Sequence, residues 1–151
     1  MKVKDIMVKE IKSISPDISA KEGMEILFEN QISGLPVIDK DGKLVGMFTE
    51  KNILSQLLPS YVTQVGRFVY EDDPKWIGKK MGELCNIKVS RLMRKDVVTT
   101  NEETSMSEAA RIMLTERARR LPVLDKEGKV AGMVARVDVL KAFAGQSVCS
   151  G

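Results

Sequence analysis

Two seven-residue stretches hold most of the chemistry this chain can offer, Gly46-Met47-Phe48-Thr49-Glu50-Lys51-Asn52 and Gly132-Met133-Val134-Ala135-Arg136-Val137-Asp138. In each, the glycine lets another group approach the backbone closely. The helix start that follows offers free amides and the positive end of a dipole. Asp138, one turn into such a helix, is placed to accept from the vicinal hydroxyls of a ribose, as acidic residues do in dinucleotide folds. It is equally placed to satisfy its own helix's first amides. Arg119 and Arg120 close the run Glu116-Arg117-Ala118-Arg119-Arg120. They can clamp a phosphate with forked, charge-assisted hydrogen bonds, or they can answer the dipole at a helix C-terminus.

Other chemistry is poorly provided for. An enzyme needs a nucleophile with a base, a metal cage or paired carboxylates in a cleft, and the sequence shows none, so no catalytic residue is expected. There is no histidine, and Cys85 and Cys149 stand at no metal-ligand spacing, so no metal site is expected either. A net charge of +3 from 24 basic and 21 acidic residues suits a soluble protein. No basic stripe or interleaved aromatics extend the arginine run, which argues against nucleic acid. No apolar run is long enough to span a bilayer, and Met1–Glu10 is too charged for a signal-peptide core. The expectation is a reduced, cytoplasmic protein that does not enter the membrane.

The elements that must position these residues come from a duplication. Shifted by 86 residues, Gly34–Leu54 becomes Arg120–Leu140, and Leu35, Pro36, Val37, Asp39, Gly42, Gly46, Met47 and Leu54 all recur without a gap. Two copies of a unit this small need a shared core. In copy one, Ile11–Ile14 read as a brief strand. Ser19 and Glu22 form a capping box ahead of a helix that ends near Asn30, with Ala20, Met24, Leu27 and Phe28 on its apolar face. Leu35–Ile38 and Leu44–Phe48 are apolar runs of strand length around a turn in which Gly42 can take positive φ. A second helix starts at Thr49 and carries Ile53, Leu54 and Leu57 toward Pro59.

Copy two repeats the order: a strand at Val97–Thr99, a capping box at Ser105 and Glu108, a helix lined by Ala109, Ala110, Met113 and Leu114, a hairpin, and a last helix from about Ala135. The fold class is α+β, two β-α-β-β-α units. The organisation is 1–58 for the first repeat, 59–86 for a linker, 87–144 for the second repeat and 145–151 for a frayed tail. Within the linker, Tyr61–Tyr70 lacks a clear period, Asp73-Pro74 resembles a helix start, and Ile77, Met81 and Leu84 follow at helical spacing. That helix, with Trp76 as an anchor, is expected to cover one edge of the core.

The paired Leu-Pro-Val strands, the Asp-Lys-(Asp/Glu)-Gly-Lys turns and the Gly-h-h-(Thr/Ser)-x-x-Asp-like helix starts resemble a tandem pair of CBS (cystathionine-β-synthase-type) domains, a Bateman module. The resemblance covers residues 1–58 and 87–144. It implies two units related by a pseudo-twofold axis, with two clefts that take adenosine-containing ligands such as AMP, ADP, ATP or S-adenosylmethionine. Such a ligand acts as an effector, and no cofactor is required. It implies a non-catalytic sensor that regulates another protein, and a homodimer formed through the helices. By match to the family motif, Asp138 would hold the ribose, with Arg119, Arg120 and Ala135 on the phosphate side. Ala135 replaces the usual hydroxyl and so removes one contact. Lys12, Ser13, Ile32, Ser33 and Gly34 would contact the base. The second, weaker site would combine Thr49 and Asn52 with Val98, Thr99, Ala118 and Arg119. The alternative is a ligand-free scaffold for dimerisation or partner docking, favoured by Ala135 and Asn52.

Overall fold

The structure is a computed structural model that describes residues 1–58 and 74–145. The expectations for Pro59, Tyr61–Tyr70, Asp73, the Trp76 side chain and the tail beyond Gly145 lie outside the described residues. In chain order the elements are α1 (Val3–Ile6), α2 (Ala20–Asn30), β1 (Gly34–Ile38), β2 (Leu44–Thr49) and α3 (Glu50–Leu57). Then follow α4 (Pro74–Cys85), α5 (Val89–Leu92), β3 (Thr100–Asn101), α6 (Met106–Thr115), β4 (Arg120–Leu124), β5 (Val130–Ala135) and α7 (Arg136–Gly145). The fold is α+β, as the hydrophobic periods predict.

Local chemistry explains where these elements start and turn. Ser19 Oγ accepts from the Glu22 amide at 3.2 Å, and Ser105 Oγ from the Glu108 amide at 3.1 Å, so each serine satisfies one of the free donors that opens a helix. In copy two the return half of the expected box gives way to a charge-assisted bond, with Arg111 Nε donating to Glu108 at 2.9 Å. Gly42 and Gly128 take φ of 83° and 81° in the two hairpin turns, the left-handed region that costs glycine least. Gln31 and Arg117 stand at positive φ where the first helix of each copy gives way to strand.

The chain forms two compact units, and they are not the two sequence copies. One comprises Met1–Lys12, Asp41–Leu44 and Val97–Gly151, the other Ser13–Lys40 and Val45–Asp96. The lead-in of each copy therefore belongs to the body of the other. In the first unit, Val3 N–H donates to Thr104 O at 2.8 Å, and Val8 and Met133 exchange bonds of 2.8 and 2.9 Å. In the second, at positions shifted by the repeat length, Val89 N–H donates to Ile18 O at 2.9 Å, and Met47 and Arg94 exchange bonds of 2.9 and 2.8 Å.

Each unit has its own core. In the first, β3 pairs parallel to β4 and β4 antiparallel to β5, and Val3, Ala109, Met113, Leu121, Val123 and Val134 are buried behind the sheet. In the second, β1 and β2 pair, and Ile14 alone of the expected Ile11–Ile14 strand bridges to Val37. Met24, Leu27, Leu35, Phe48 and Ile53 fill that core together with Leu84 from α4. The linker helix packs against α2 and α3 of the second unit, with Met81 and Cys85 beside Leu84. The copy-two strand falls at Thr100–Asn101 rather than Val97–Thr99, because only there does the ladder to Val123 and Leu124 form. Phe28 and Leu114, expected to line apolar helix faces, are instead 72% and 71% exposed, and Leu54 is 57% exposed.

Candidate functional site

The start of α7 lacks a hydroxyl cap, and Asp138 takes over part of that role. Its Oδ2 accepts from the Ala135 amide at 2.8 Å in a partly buried setting. The capping function weighed from sequence is therefore real, but it occupies only one of the two carboxylate oxygens. Arg136 fastens the same corner. Its amide donates to Arg119 O at 3.1 Å, its Nε to Ala118 O at 3.2 Å and its guanidinium again to Met113 O at 3.4 Å. Arg119, Arg120, Ala135 and Asp138 thus meet at one corner of the first unit. Both arginines are exposed, with no ion pair among the described residues.

Asp138 opens onto a depression of about 350 Å³ lined by Met1, Ile6, Asp138, Lys141 and Ala142. Three of these five side chains are apolar, one is an acid and one a cation. Such a lining suits a ligand with a flat apolar part and hydroxyl or anionic groups, and the volume lies at the small-molecule end of binding sites. Sequence reasoning picked out only Asp138 here. Met1, Ile6, Lys141 and Ala142 carry no motif, and their place follows from α1 packing beside α7.

The equivalent start of α3 is closed on itself. Thr49 Oγ1 accepts from the Asn52 amide at 3.1 Å and donates to Asn52 Oδ1 at 2.7 Å. The Glu50 amide donates to Ser33 O at 2.9 Å, so Ser33, Gly34, Thr49 and Asn52 gather in the second unit. Ser13 and Ile32 belong to that unit as well, while Lys12, Val98, Thr99 and Ala118 belong to the first.

The close approach expected at the two glycines of equivalent register is made by the chain itself. A Cβ on Gly132 would stand 2.7 Å from Val8 O, and one on Gly46 2.8 Å from Arg94 O. These glycines seat the exchanged lead-ins.

Among the described residues no cluster of histidine, cysteine or carboxylate groups could hold a metal ion, and no helix is long and apolar enough to cross a membrane. The architecture defines a protein of two repeated α+β units with exchanged lead-ins. The family model for the CBS domain matches residues 3–59 and 89–145, and the chain belongs to that family. It is 33% identical over 141 residues to the chloroplastic CBS domain-containing protein CBSX1 of Arabidopsis thaliana, covering 89% of this chain and 59% of that one. The chain therefore spans about three fifths of that relative's length. Among solved structures, CBSX2 of Arabidopsis in complex with AMP superposes with a TM-score of 0.72 at 28% identity, covering 96% of this chain and 97% of that one. The CBS domain pair of protein MJ0100, in complex with 5'-methylthioadenosine and S-adenosyl-L-methionine, gives 0.68 at 25% identity, with 97% and 98% covered.

Proposed function

We propose that this chain is a non-catalytic regulatory module that binds an adenosine-containing ligand, AMP, ADP or ATP before S-adenosylmethionine, through Asp138. The observation that carries the reading is the Asp138 carboxylate. One oxygen is anchored by the Ala135 amide, which fixes its direction, and the residue lines a depression of about 350 Å³. A carboxylate held in that way is preorganised to accept from ribose hydroxyls, so little ordering is left to be done on binding. Arg119 and Arg120, at the same corner, supply cations for a phosphate. Two structural relatives hold adenosine compounds, AMP in one and S-adenosyl-L-methionine with 5'-methylthioadenosine in the other, which supports the class of ligand.

The remaining base-side residues, Lys12, Ser13, Ile32, Ser33 and Gly34, complete the reading by family match. The site at Thr49 and Asn52, with Val98, Thr99 and Ala118, is the weaker one. The module works in the cytoplasm as a homodimer, its exposed helix residues Phe28, Leu54, Leu114 and Leu140 serving assembly, and it acts on a regulated protein.

Isothermal calorimetry with AMP, ADP, ATP and S-adenosylmethionine tests this directly. Asp138→Ala removes a hydrogen bond to a charged group worth about 1.5–3 kcal/mol, so affinity should fall roughly ten- to a hundredfold. Unchanged affinity in that variant overturns the assignment. Silence of the wild-type chain across the whole panel favours the scaffold reading instead.

A further inference from the structure

We propose that the exchanged lead-in, Met1–Val8, forms a wall of the ligand site at Asp138 through Met1 and Ile6, so that ligand binding and lead-in docking are thermodynamically linked. The inference rests on the reading of Asp138 as a ligand contact and adds to it the residues that enclose the ligand from the other side.

Met1 and Ile6 line the depression that Asp138 opens onto, facing Lys141 and Ala142 of α7. The copy to which this lead-in belongs by sequence contributes nothing else to that lining. The lead-in is also held by contacts that can open without unfolding the core. Val3, Lys4 and Val8 amides donate to Thr104 O, Glu102 O and Met133 O at 2.8, 3.0 and 2.8 Å. Lys4 Nζ pairs with Glu103 at 2.9 Å, and Lys2 Nζ pairs with the other oxygen of the same carboxylate. Of the lead-in's first six residues only Val3 is fully buried and Ile6 is half-buried against the same core, so two apolar side chains, a few backbone bonds and a surface ion cluster hold a segment that also encloses the site. Segments with few buried contacts occupy the low-stability end of a structure and open locally.

If the lead-in must be docked for the ligand to be held, ligand at concentration L slows local opening by the factor 1 + L/Kd. The Val3, Lys4 and Val8 amides are the reporters, because each bond breaks when the lead-in lifts. Hydrogen exchange of the full chain is measured with and without AMP, at an AMP concentration of about ten times the Kd found by calorimetry. The expected result is that exchange at these three amides slows about tenfold. In Glu103→Gln, which loosens the lead-in without touching the depression, the three amides should exchange faster than in wild type and AMP should slow them by the same factor. Exchange at these amides that ignores AMP, in a chain that calorimetry shows to bind it, overturns the wall and leaves the Asp138 reading standing. No heat of binding with AMP, ATP or S-adenosylmethionine removes the ligand reading, and the wall falls with it.

Discussion

The start of α3 and the start of α7 occupy equivalent places in the two copies, yet they are built differently. Thr49 caps α3 with its hydroxyl and ties up Asn52, while Ala135 leaves the α7 start to the carboxylate of Asp138. The first arrangement spends the Thr49 hydroxyl and the Asn52 amide oxygen internally. The second leaves a charged oxygen beside an opening. By contrast, Gly46 and Gly132 are interchangeable in role, because a Cβ on either would come within 3 Å of a crossing main-chain carbonyl. Duplication kept the residues that backbone geometry demands, while the two helix starts differ.

The strongest way to break this comparison is to fill the glycines. Gly132→Ala would force a methyl group against Val8 O, and Gly46→Ala one against Arg94 O, at distances real Cβ atoms do not reach. Overpacking against backbone costs about 1–3 kcal/mol or more. Urea denaturation should show both variants destabilised by similar amounts. A variant that tolerates the methyl would mean that the two lead-ins are not seated alike.

The core offers the next test. Thr100 stands where the other copy has Ile14, and its buried hydroxyl has no partner among the described residues, whereas Ile14 packs into the core of its own unit. An unsatisfied buried hydroxyl costs about 1–3 kcal/mol, so Thr100→Val should raise stability by about 1 kcal/mol in the same denaturation experiment. A loss of stability would show that the hydroxyl is satisfied by something bound there.

The helix starts and hairpins were legible in the sequence because their causes are local. Ser19 and Ser105 each act on an amide three residues on, and Gly42 and Gly128 answer a turn that only a few backbone shapes can make. The exchange of lead-ins was not legible. Val3 and Val89 sit at equivalent positions in the repeat, and nothing in either copy says whether Val3 should pack on its own body or on the other. That choice is made by long-range packing, and its only local trace is the pair of glycines whose close approach the sequence suggested without naming the approaching group. The candidate site divides the same way. Asp138 and the arginines announce themselves by charge and spacing, whereas Met1 and Ile6 are ordinary apolar residues until the exchange brings them beside α7.

Exchanging the caps sharpens the comparison further. Replacing an N-cap threonine by alanine costs about 1 kcal/mol, so Thr49→Ala should lower the melting temperature by a few degrees. Ala135→Thr, which gives α7 the cap that α3 already has, should raise stability by somewhat less, since Asp138 already satisfies one amide there. Asn52→Ala should leave AMP affinity within about twofold, in contrast to the loss expected for Asp138→Ala. A large loss of affinity from Asn52→Ala would mean that the α3 start binds ligand as strongly as the α7 start.

The smallest effect concerns the ion cluster that holds the first lead-in: at the equivalent positions of the second, Lys88 and Ser90 replace Lys2 and Lys4 and Asp17 replaces Glu103, with no ion pair among the described residues. Hydrogen bonds from Lys2 and Lys4 hold the Glu103 carboxyl down at about 2, against an ordinary 4.5. The same carboxylate raises the Lys4 ammonium above its usual range. A depressed carboxyl favours the folded state fully above its unfolded pKa, and that contribution fades as pH falls from about 4.5 toward 2. The Lys4 contribution has the opposite sense and is lost only in strong base, as pH rises through its raised value. Because the cluster is exposed, salt should weaken it. A carboxyl NMR titration should therefore find Glu103 with a midpoint near 2, moving toward 4.5 in high salt. A Glu103 midpoint at the ordinary value would mean that the ion cluster does not help to hold the first lead-in, and the asymmetry between the two would disappear.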